Sequence, residues 1–289
     1  MPTNGFQFEN HLPVLNRPWL IAGFTGWGNA LNVAAGAIEH LVQQLGAQKI
    51  GSIDSDVFYR YDENRPVVRI EAGELKSLEF PGGALYAGPV ASGGRDLILL
   101  KADEPHLRWR QFADALFDTA GRLGVDTVIS LGSMLDTVLH TVRLVSGLAS
   151  TAVLAEALQA QGIAPISYEG PSAIHSSLLM EGSRRGMNCI SLWGHCAFYL
   201  QGATHFGLMA HLVGLLAKLG GFPLDTQELE SAWQRLHEHI QGLIEKNEEL
   251  QKLVGKLRKE KMRGNWSAVK PPADLSGKLI NLKDFLEPK

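Results

Sequence analysis

Apolar positions along this chain follow two alternating rhythms. Short continuous apolar runs read as buried strands with their exits: "PWLIAGF" (18–24), "KIGSID" (49–54), "RDLILLKADEP" (95–105), "VDTVISLGS" (125–133) and "MNCISLWGH" (187–195). Between them, apolar residues at helical spacing predict helices over "GWGNALNVAAGAIEHLVQQLG", with Gly46 as the stop, and over "HLRWRQFADALFDTAGRLG". Two more helices are expected near 151–161 and 172–185, and "GIAPISYEG" (162–170) reads as another strand and exit. Strands alternating with helices predict an α/β fold whose mostly parallel sheet is covered on both faces. Residues 57–95 break the rhythm. "VVRIEAG", "KSLEFPGG" and "ALYAGPVASGG" are short β-like runs cut by Gly and Pro, expected as antiparallel hairpin or edge strands added to that sheet.

The last third reads as helical. Leu229, Trp233, Leu236, Ile240, Leu243, Asn247, Leu250, Val254 and Leu257 are spaced 4-3-4-3, a heptad seam with Asn247 at an a-type position. Two readings stay open: a long helix packing its stripe on its own chain, or a coiled coil within a helical hairpin or between subunits. Lys252, Lys256, Arg258, Lys259, Lys261 and Arg263 crowd the end of this segment, where cations suit a helix C-terminus. The expected organisation is an α/β/α domain over 1–222, a helical, coiled-coil-like extension over 223–263 and a tail over 264–289. The "KLINLKDFLEP" stretch of that tail is a candidate for a short docked element.

Composition narrows the classes. Of 289 residues, 45% are hydrophobic and 20% charged, and the net charge is −3, so nothing global points to nucleic acid or an anionic membrane. Two cysteines, Cys189 and Cys196, make no disulfide framework and lack zinc-ligand spacing, which suits a reducing cytoplasm. The N-terminus has no basic flank before an apolar run. The longest apolar stretch, 197–219, is interrupted by Gln201, His205 and His211 and reads as a buried helix rather than a membrane span.

Polar residues gather just after predicted strands, and in a parallel sheet those ends share one edge, where ligands bind. Gly26, Trp27, Gly28 and Asn29 leave the first strand. This loop matches neither G-x-G-x-x-G nor a P-loop. Its glycines could still admit an anion at a helix N-terminus, or simply make a turn with Asn29 as N-cap. Glu104 and Arg108 lie four apart, either an intrahelical ion pair or a charge pair facing the cleft. Asp136, His140 and Arg143 follow the strand at 125–133. His140 could be a general base or a structural histidine, Arg143 could hold a carboxylate or phosphate, and Asp136 reads as a loop cap. Glu169 and Gly170 precede Pro171 at an expected helix start. The histidines form no metal motif, no G-x-S-x-G elbow occurs, and no cofactor is expected.

Taken in order, "GFTGWGNA", "FYRYDENRPVV", "ADEPHLRWRQFADAL", "VISLGSMLDTVLHT", "ISYEGPSAIHSSLL" and "ISLWGHCAFYL" resemble the proteasome assembly chaperone 2 family, particularly its prokaryotic members, over roughly residues 18 to 255. "EPxxRWxxF" and "YEGPxxI" are the specific stretches. The resemblance implies a three-layer α/β/α sandwich of the phosphorylase/hydrolase-like kind with a long C-terminal helical extension, and assembly as a trimer. By residue, it carries Glu104, Pro105, Arg108, Trp109 and Phe112 onto the first pattern and Tyr168, Glu169, Gly170 and Pro171 onto the second. Leu131, Gly132, His140 and Thr141 fit the strand-and-loop pattern, and Gly26 and Trp27 the first loop. Two departures matter. Gly28-Asn29 stands where many members have Asn-Asp, which removes a carboxylate, and Val142 separates Thr141 from Arg143.

Three functions are compatible with this reading. One is an oligomeric, chaperone-like interaction protein with a protein partner. Another is an enzyme or binder of a small phosphate- or carboxylate-bearing ligand, with Glu104, His140 and Glu169 as catalytic candidates and Gly26, Trp27, Arg108, Arg143 and Gly170 as binding candidates. The third is a purely structural homo-oligomer.

Overall fold

The computed structural model describes residues 5–9, 12–90, 94–262 and 279–282. Strands β1 (Phe6–Phe8), β2 (Trp19–Phe24) and β3 (Gln48–Ile53) open the chain, with helix α1 (Val33–Gln44) and the short α2 (Ser55–Phe58). Next come β4 (Val67–Glu71), β5 (Glu74–Glu79), β6 (Gly83–Pro89), β7 (Asp96–Ala102), α3 (Trp109–Arg122), β8 (Thr127–Asp136), β9 (Val145–Ala149), α4 (Ala152–Ala160) and β10 (Ala164–Pro165). Helix α5 (Ile174–Arg184), β11 (Asn188–Ala197), β12 (Leu200–Gln201), α6 (Phe206–Gly220), α7 (Gln227–Glu245), α8 (Glu248–Met262) and β13 (Ile280–Asn281) complete it.

The centre of the fold is the parallel set β7-β2-β8-β11. Its strands are continuous apolar runs because both faces are covered. Ile21, Leu99, Ile129, Leu131 and Leu192 pack under α1 and α6, while Leu20, Ile98, Leu100 and Val128 pack under α3 and α5. Each such side chain, fully buried, stabilises the fold by about 1.5–3 kcal/mol. Helix α1 sits so close to β2 that a Cβ at Gly23 would stand 2.6 Å from Ile38 Cγ1 and 2.7 Å from the Ala34 carbonyl oxygen. Only glycine admits that approach.

The flanks are antiparallel. β6 pairs against β7, β3 against β6 and β1 against β3; on the other side β9 pairs against β11 and carries β10 parallel to itself. Two expectations change here. β6 joins the sheet as predicted, but β4 and β5 form a separate two-stranded hairpin. The strand expected in 162–170 is only the two residues of β10, and it runs opposite to the parallel core. Its loop therefore returns to the rim by folding back, not by parallel geometry.

The heptad seam is not one helix. It breaks between α7 and α8, where Asn247 Oδ1 accepts the N–H groups of Glu249 (3.0 Å) and Leu250 (3.1 Å). Asn247 is thus the N-cap of α8 rather than a buried a-position residue. Leu229, Trp233, Leu236 and Ile240 on α7 and Leu250, Val254 and Leu257 on α8 are buried within the chain itself. From Trp233 onward, the stripe packs with Ala197, Phe198, Tyr199 and Leu200 and with Ile280 and Leu282. Ile280–Asn281, from the expected docking element, pairs with β12. The rest of that element and of the tail, like Arg263 and the side chain of Lys261, lies outside the described residues. Among the described residues, no helix is long and apolar enough to cross a membrane.

A buried polar cluster fastens α7 to the body. His140, 1% exposed, has Nδ1 2.7 Å from the Tyr199 hydroxyl, which also accepts the His140 backbone N–H at 2.9 Å. With the proton on Nδ1, its Nε2 accepts from the Gln241 amide at 2.8 Å. His205 caps α6 by accepting the Leu208 N–H on Nδ1 and stacks on Trp233, ring centroids 4.4 Å apart. Arg143 reaches α7 through a bidentate pair with Glu230, both contacts 2.5 Å. Burial pushes the His140 imidazole down to about 3, with smaller contributions from His237, His205 and Arg258, and pushes His205 down to about 4.

Two expected outcomes follow. Asn247→Ala removes a cap and should lower stability by about 1 kcal/mol, read by denaturant unfolding; an unchanged midpoint would contradict the capping role. The second concerns acid. His140, His205 and His175 (also pushed to about 4 by burial) are held neutral in the fold, below their ordinary 6.5. Their stabilisation is complete above pH 6.5 and is lost as pH falls from there toward the folded values. His211 shifts the same way. At pH 5.5 the loss should reach about 4 kcal/mol for the three, with proton uptake on unfolding. A stability flat between pH 7 and pH 5.5 would refute neutral burial.

Candidate functional site

β8 and β11 are paired over ten residues, Thr127↔Asn188 through Asp136↔Ala197, while β2 stays with β8 only as far as Leu131. The two long strands overshoot the sheet. Beside this overhang lies a cleft of about 850 Å³. Its walls are the first loop (Gly26, Trp27, Asn29), Met134 and Leu135 of β8, Leu148 of β9, the 166–173 loop, Trp193 of β11 and the Leu200–Gly202 turn. It is mainly apolar, and none of the described residues lining it is charged. Trp27, Tyr168 and Leu135 are 62%, 64% and 52% exposed at its rim.

The first loop is shaped by its small residues. Gly26 has φ +94°, and a Cβ there would lie 3.2 Å from Glu104 Cβ. A Cβ on Gly28 would lie 3.0 Å from the His175 ring and 3.3 Å from Trp193. Asn29 Oδ1 accepts the N–H groups of Ala34 (3.0 Å) and Ala35 (3.1 Å), capping α1 across a short 3-10 turn. These are the amides an anion would have needed.

The polar candidates disperse. Glu104 Oε1 accepts the Ile174 N–H at 2.8 Å and so caps α5 from a distance. It lines a neighbouring cavity of about 370 Å³ with Asp103, His106 and Trp109. Arg108 is exposed, with φ +56°, and α3 starts only at Trp109, so no helix joins Glu104 to Arg108. His140 is sealed under α7, and Arg143 is taken by Glu230. Glu169 is exposed and lies outside the α5 first turn, because that helix begins at Ile174 and Glu104 serves its amide. Gly26, Trp27 and Gly170 do line the cleft; a Cβ on Gly170 would strike the Tyr168 hydroxyl at 2.5 Å. Glu104, His140 and Glu169 therefore face three different surroundings. Among the described residues, no group of His, Cys, Asp and Glu could hold a metal ion.

One constellation escaped the sequence reading. Asp136 Oδ2 accepts from His195 Nδ1–H at 2.7 Å, and His195 Nε2 accepts from Ser146 Oγ–H at 2.8 Å. The order of donors is that of a hydrolytic triad. The burial is reversed: the Asp136 side chain is 37% exposed, whereas Ser146 is 4% exposed, inside a strand paired on both edges. Solvent meets the carboxylate first and the hydroxyl last, so the arrangement ties three strand ends together rather than presenting a nucleophile. The His195 and Thr137 hydrogen bonds hold the Asp136 carboxyl below the usual carboxylate range. No local spacing marks residues 136, 146 and 195; only the pairing of β8, β11 and β9 assembles them.

Comparison with known proteins places this architecture. A PAC2 family protein from Streptomyces avermitilis MA is 27% identical, with a TM-score of 0.74 over 82% of this chain and 99% of its own. A proteasome-assembly chaperone homologue of Mycobacterium tuberculosis is 28% identical, with the same TM-score and the same two coverages. PbaB of Pyrococcus furiosus, an archaeal proteasome activator, shares the fold at 20% identity, with a TM-score of 0.66 over 83% of this chain and 99% of its own. A comparison with curated proteins gives no match. The model of the PAC2 family matches residues 20–244, and the chain belongs to that family.

Proposed function

We propose that this protein is a proteasome-assembly-chaperone-like interaction protein, a homo-oligomer whose strand-end cleft receives an apolar segment of a protein partner. The observation that carries this reading is the cleft itself: about 850 Å³, uncharged, and rimmed by the exposed Trp27, Tyr168 and Leu135. Aromatic residues of this kind supply large contact area at low entropic cost and anchor protein interfaces. Two relatives above 25% identity, one of them a proteasome-assembly chaperone homologue, support the same class. A small anionic ligand finds no cation among the described residues lining the cleft, since Arg108 and Arg143 lie elsewhere.

The finer reading is a three-layer α/β/α sandwich of the phosphorylase/hydrolase-like kind over 1–222, a helical extension over 223–263 and a tail over 264–289. The family resemblance favours a trimer, acting in the cytoplasm without a cofactor, nucleic acid or membrane. Among the site candidates, Gly26, Trp27 and Gly170 are those we assign to partner binding, with Glu104 setting the α5 side of the cleft.

Crosslinking in native cells followed by affinity purification tests the reading. The wild-type chain should bring down a stoichiometric partner, and Trp27→Ala with Tyr168→Ala should reduce its recovery at least tenfold while leaving the melting temperature unchanged. Equal recovery by the double variant would remove the cleft from the interaction, and recovery of the wild type without any partner would refute the chaperone-like role.

A further inference from the structure

The β4–β5 hairpin stands apart from the main sheet and is amphipathic in an unusual sense: its apolar face is uncovered. Val68 lies opposite Leu78, and Ile70 opposite Leu75. Val68 and Ile70 share a face by the two-residue period of a strand. Leu75 and Leu78 are three apart and would fall on opposite faces of a regular strand. The register shift after Arg69 skips Lys76 and brings both leucines onto one side. Phe80, two residues beyond Leu78, continues the row and touches Tyr61, ring centroids 5.3 Å apart. Val68, Ile70, Leu75, Leu78 and Phe80 are 49%, 61%, 63%, 49% and 51% exposed. Arg69 and Glu79 fall on the opposite face, where Lys76 joins them at the bulge.

The tip is built to hold this shape. Ala72 and Gly73 have φ of +49° and +84°, the two positive values of a type I′ turn, whose twist matches the flanking strands. Even so, a two-stranded hairpin is marginal alone in water and needs a packed face. Five half-exposed apolar side chains in a row make a patch of roughly several hundred Å², the size of the largest patch on a typical monomer, which is often functional.

We propose that this face packs against the same face of a second copy of the chain, two hairpins meeting as the layers of a small β-sandwich. Three features select a second copy. The face is apolar along its whole row, so a second copy of it meets it apolar against apolar across a two-fold axis. The charged side chains point away from the contact, and their signs nearly cancel along the hairpin (Arg69 and Lys76 against Glu71, Glu74 and Glu79), so two copies meet with little repulsion. The patch is also a large part of the roughly 800 Å² per partner that a stable interface needs. The proposal rests on the homo-oligomer reading and deepens it. A two-fold hairpin contact joins two monomers, or two trimers, and in either case its loss halves the mass.

Light scattering on the full chain tests it. Ile70→Asp with Leu75→Lys should halve the particle mass relative to wild type, with unchanged far-ultraviolet circular dichroism and melting temperature. Ile70→Leu, which keeps the face apolar, should retain the wild-type mass. Equal masses for wild type and the charged variant would overturn the proposal, meaning that the face serves another occupant, such as this chain's own tail or a different protein. The residual mass of the charged variant separately reads the trimer: three chains support it and one chain opposes it, whatever the hairpin does.

Discussion

Everything distinctive in this molecule hangs on the overhang of β8 and β11. The two strands stay paired for all ten residues while their neighbour β2 ends half-way along. Beyond Leu131, β8 keeps only the bridge of Ser133 to Asn29 on that edge, and the ribbon advances about 3.3 Å with each further residue. A projecting pair of strands must be covered on both faces and both edges, because its backbone groups and apolar side chains are otherwise left in water. β9 closes one edge, and the cleft occupies one face. The turn after β11, through Phe198, Tyr199 and Leu200, supplies the surface on which α7 and α8 settle. The cleft and the helical extension are two answers to one packing problem.

That constraint also explains why the suggestive polar residues do not act together. The segment from Asp136 to Arg143 crosses from the cleft side of the overhang to the α7 side within eight residues. Asp136 stays at the strand end and holds His195; His140 passes beneath Tyr199; Arg143 grips Glu230. A tight group in the sequence is thus divided among three separate partners. Conversely, His195 is 49 residues from Ser146 and 59 from Asp136 along the chain, yet bonds both. Their burial gradient, with serine innermost, argues for a structural tie.

Membership of the PAC2 family fits a molecule that presents exposed apolar surfaces. The described residues lining the cleft carry no charge, its rim carries exposed aromatics, and the β4–β5 hairpin exposes a second apolar face at a different place. Exposed apolar area of this extent is costly to keep in water unless something covers it. Two such surfaces on one chain are the signature of a protein that spends its working life in contact with others.

The sequence by itself determined the elements whose signal is local. Continuous apolar runs marked β2, β7, β8 and β11, because strands buried on both faces tolerate little else. Helical periodicity marked α1, α3, α4 and α5, and Gly46 marked the end of α1. It also placed the first loop and Gly170 at the cleft. Other features were decided by tertiary contacts. The heptad spacing ran on unbroken through Asn247, yet the chain turns there, since a cap at α8 lets both halves of the stripe reach one body. Glu104 looked like part of a helical pair but is drawn to the bare amide of Ile174, contributed from seventy residues away. β10 reversed direction because β9 had already turned the edge of the sheet antiparallel. For Glu104 the deciding partner lies far off in the chain, and spacing along the sequence carries no record of it; at Asn247 the capped amides are local, and the heptad spacing masked the cap.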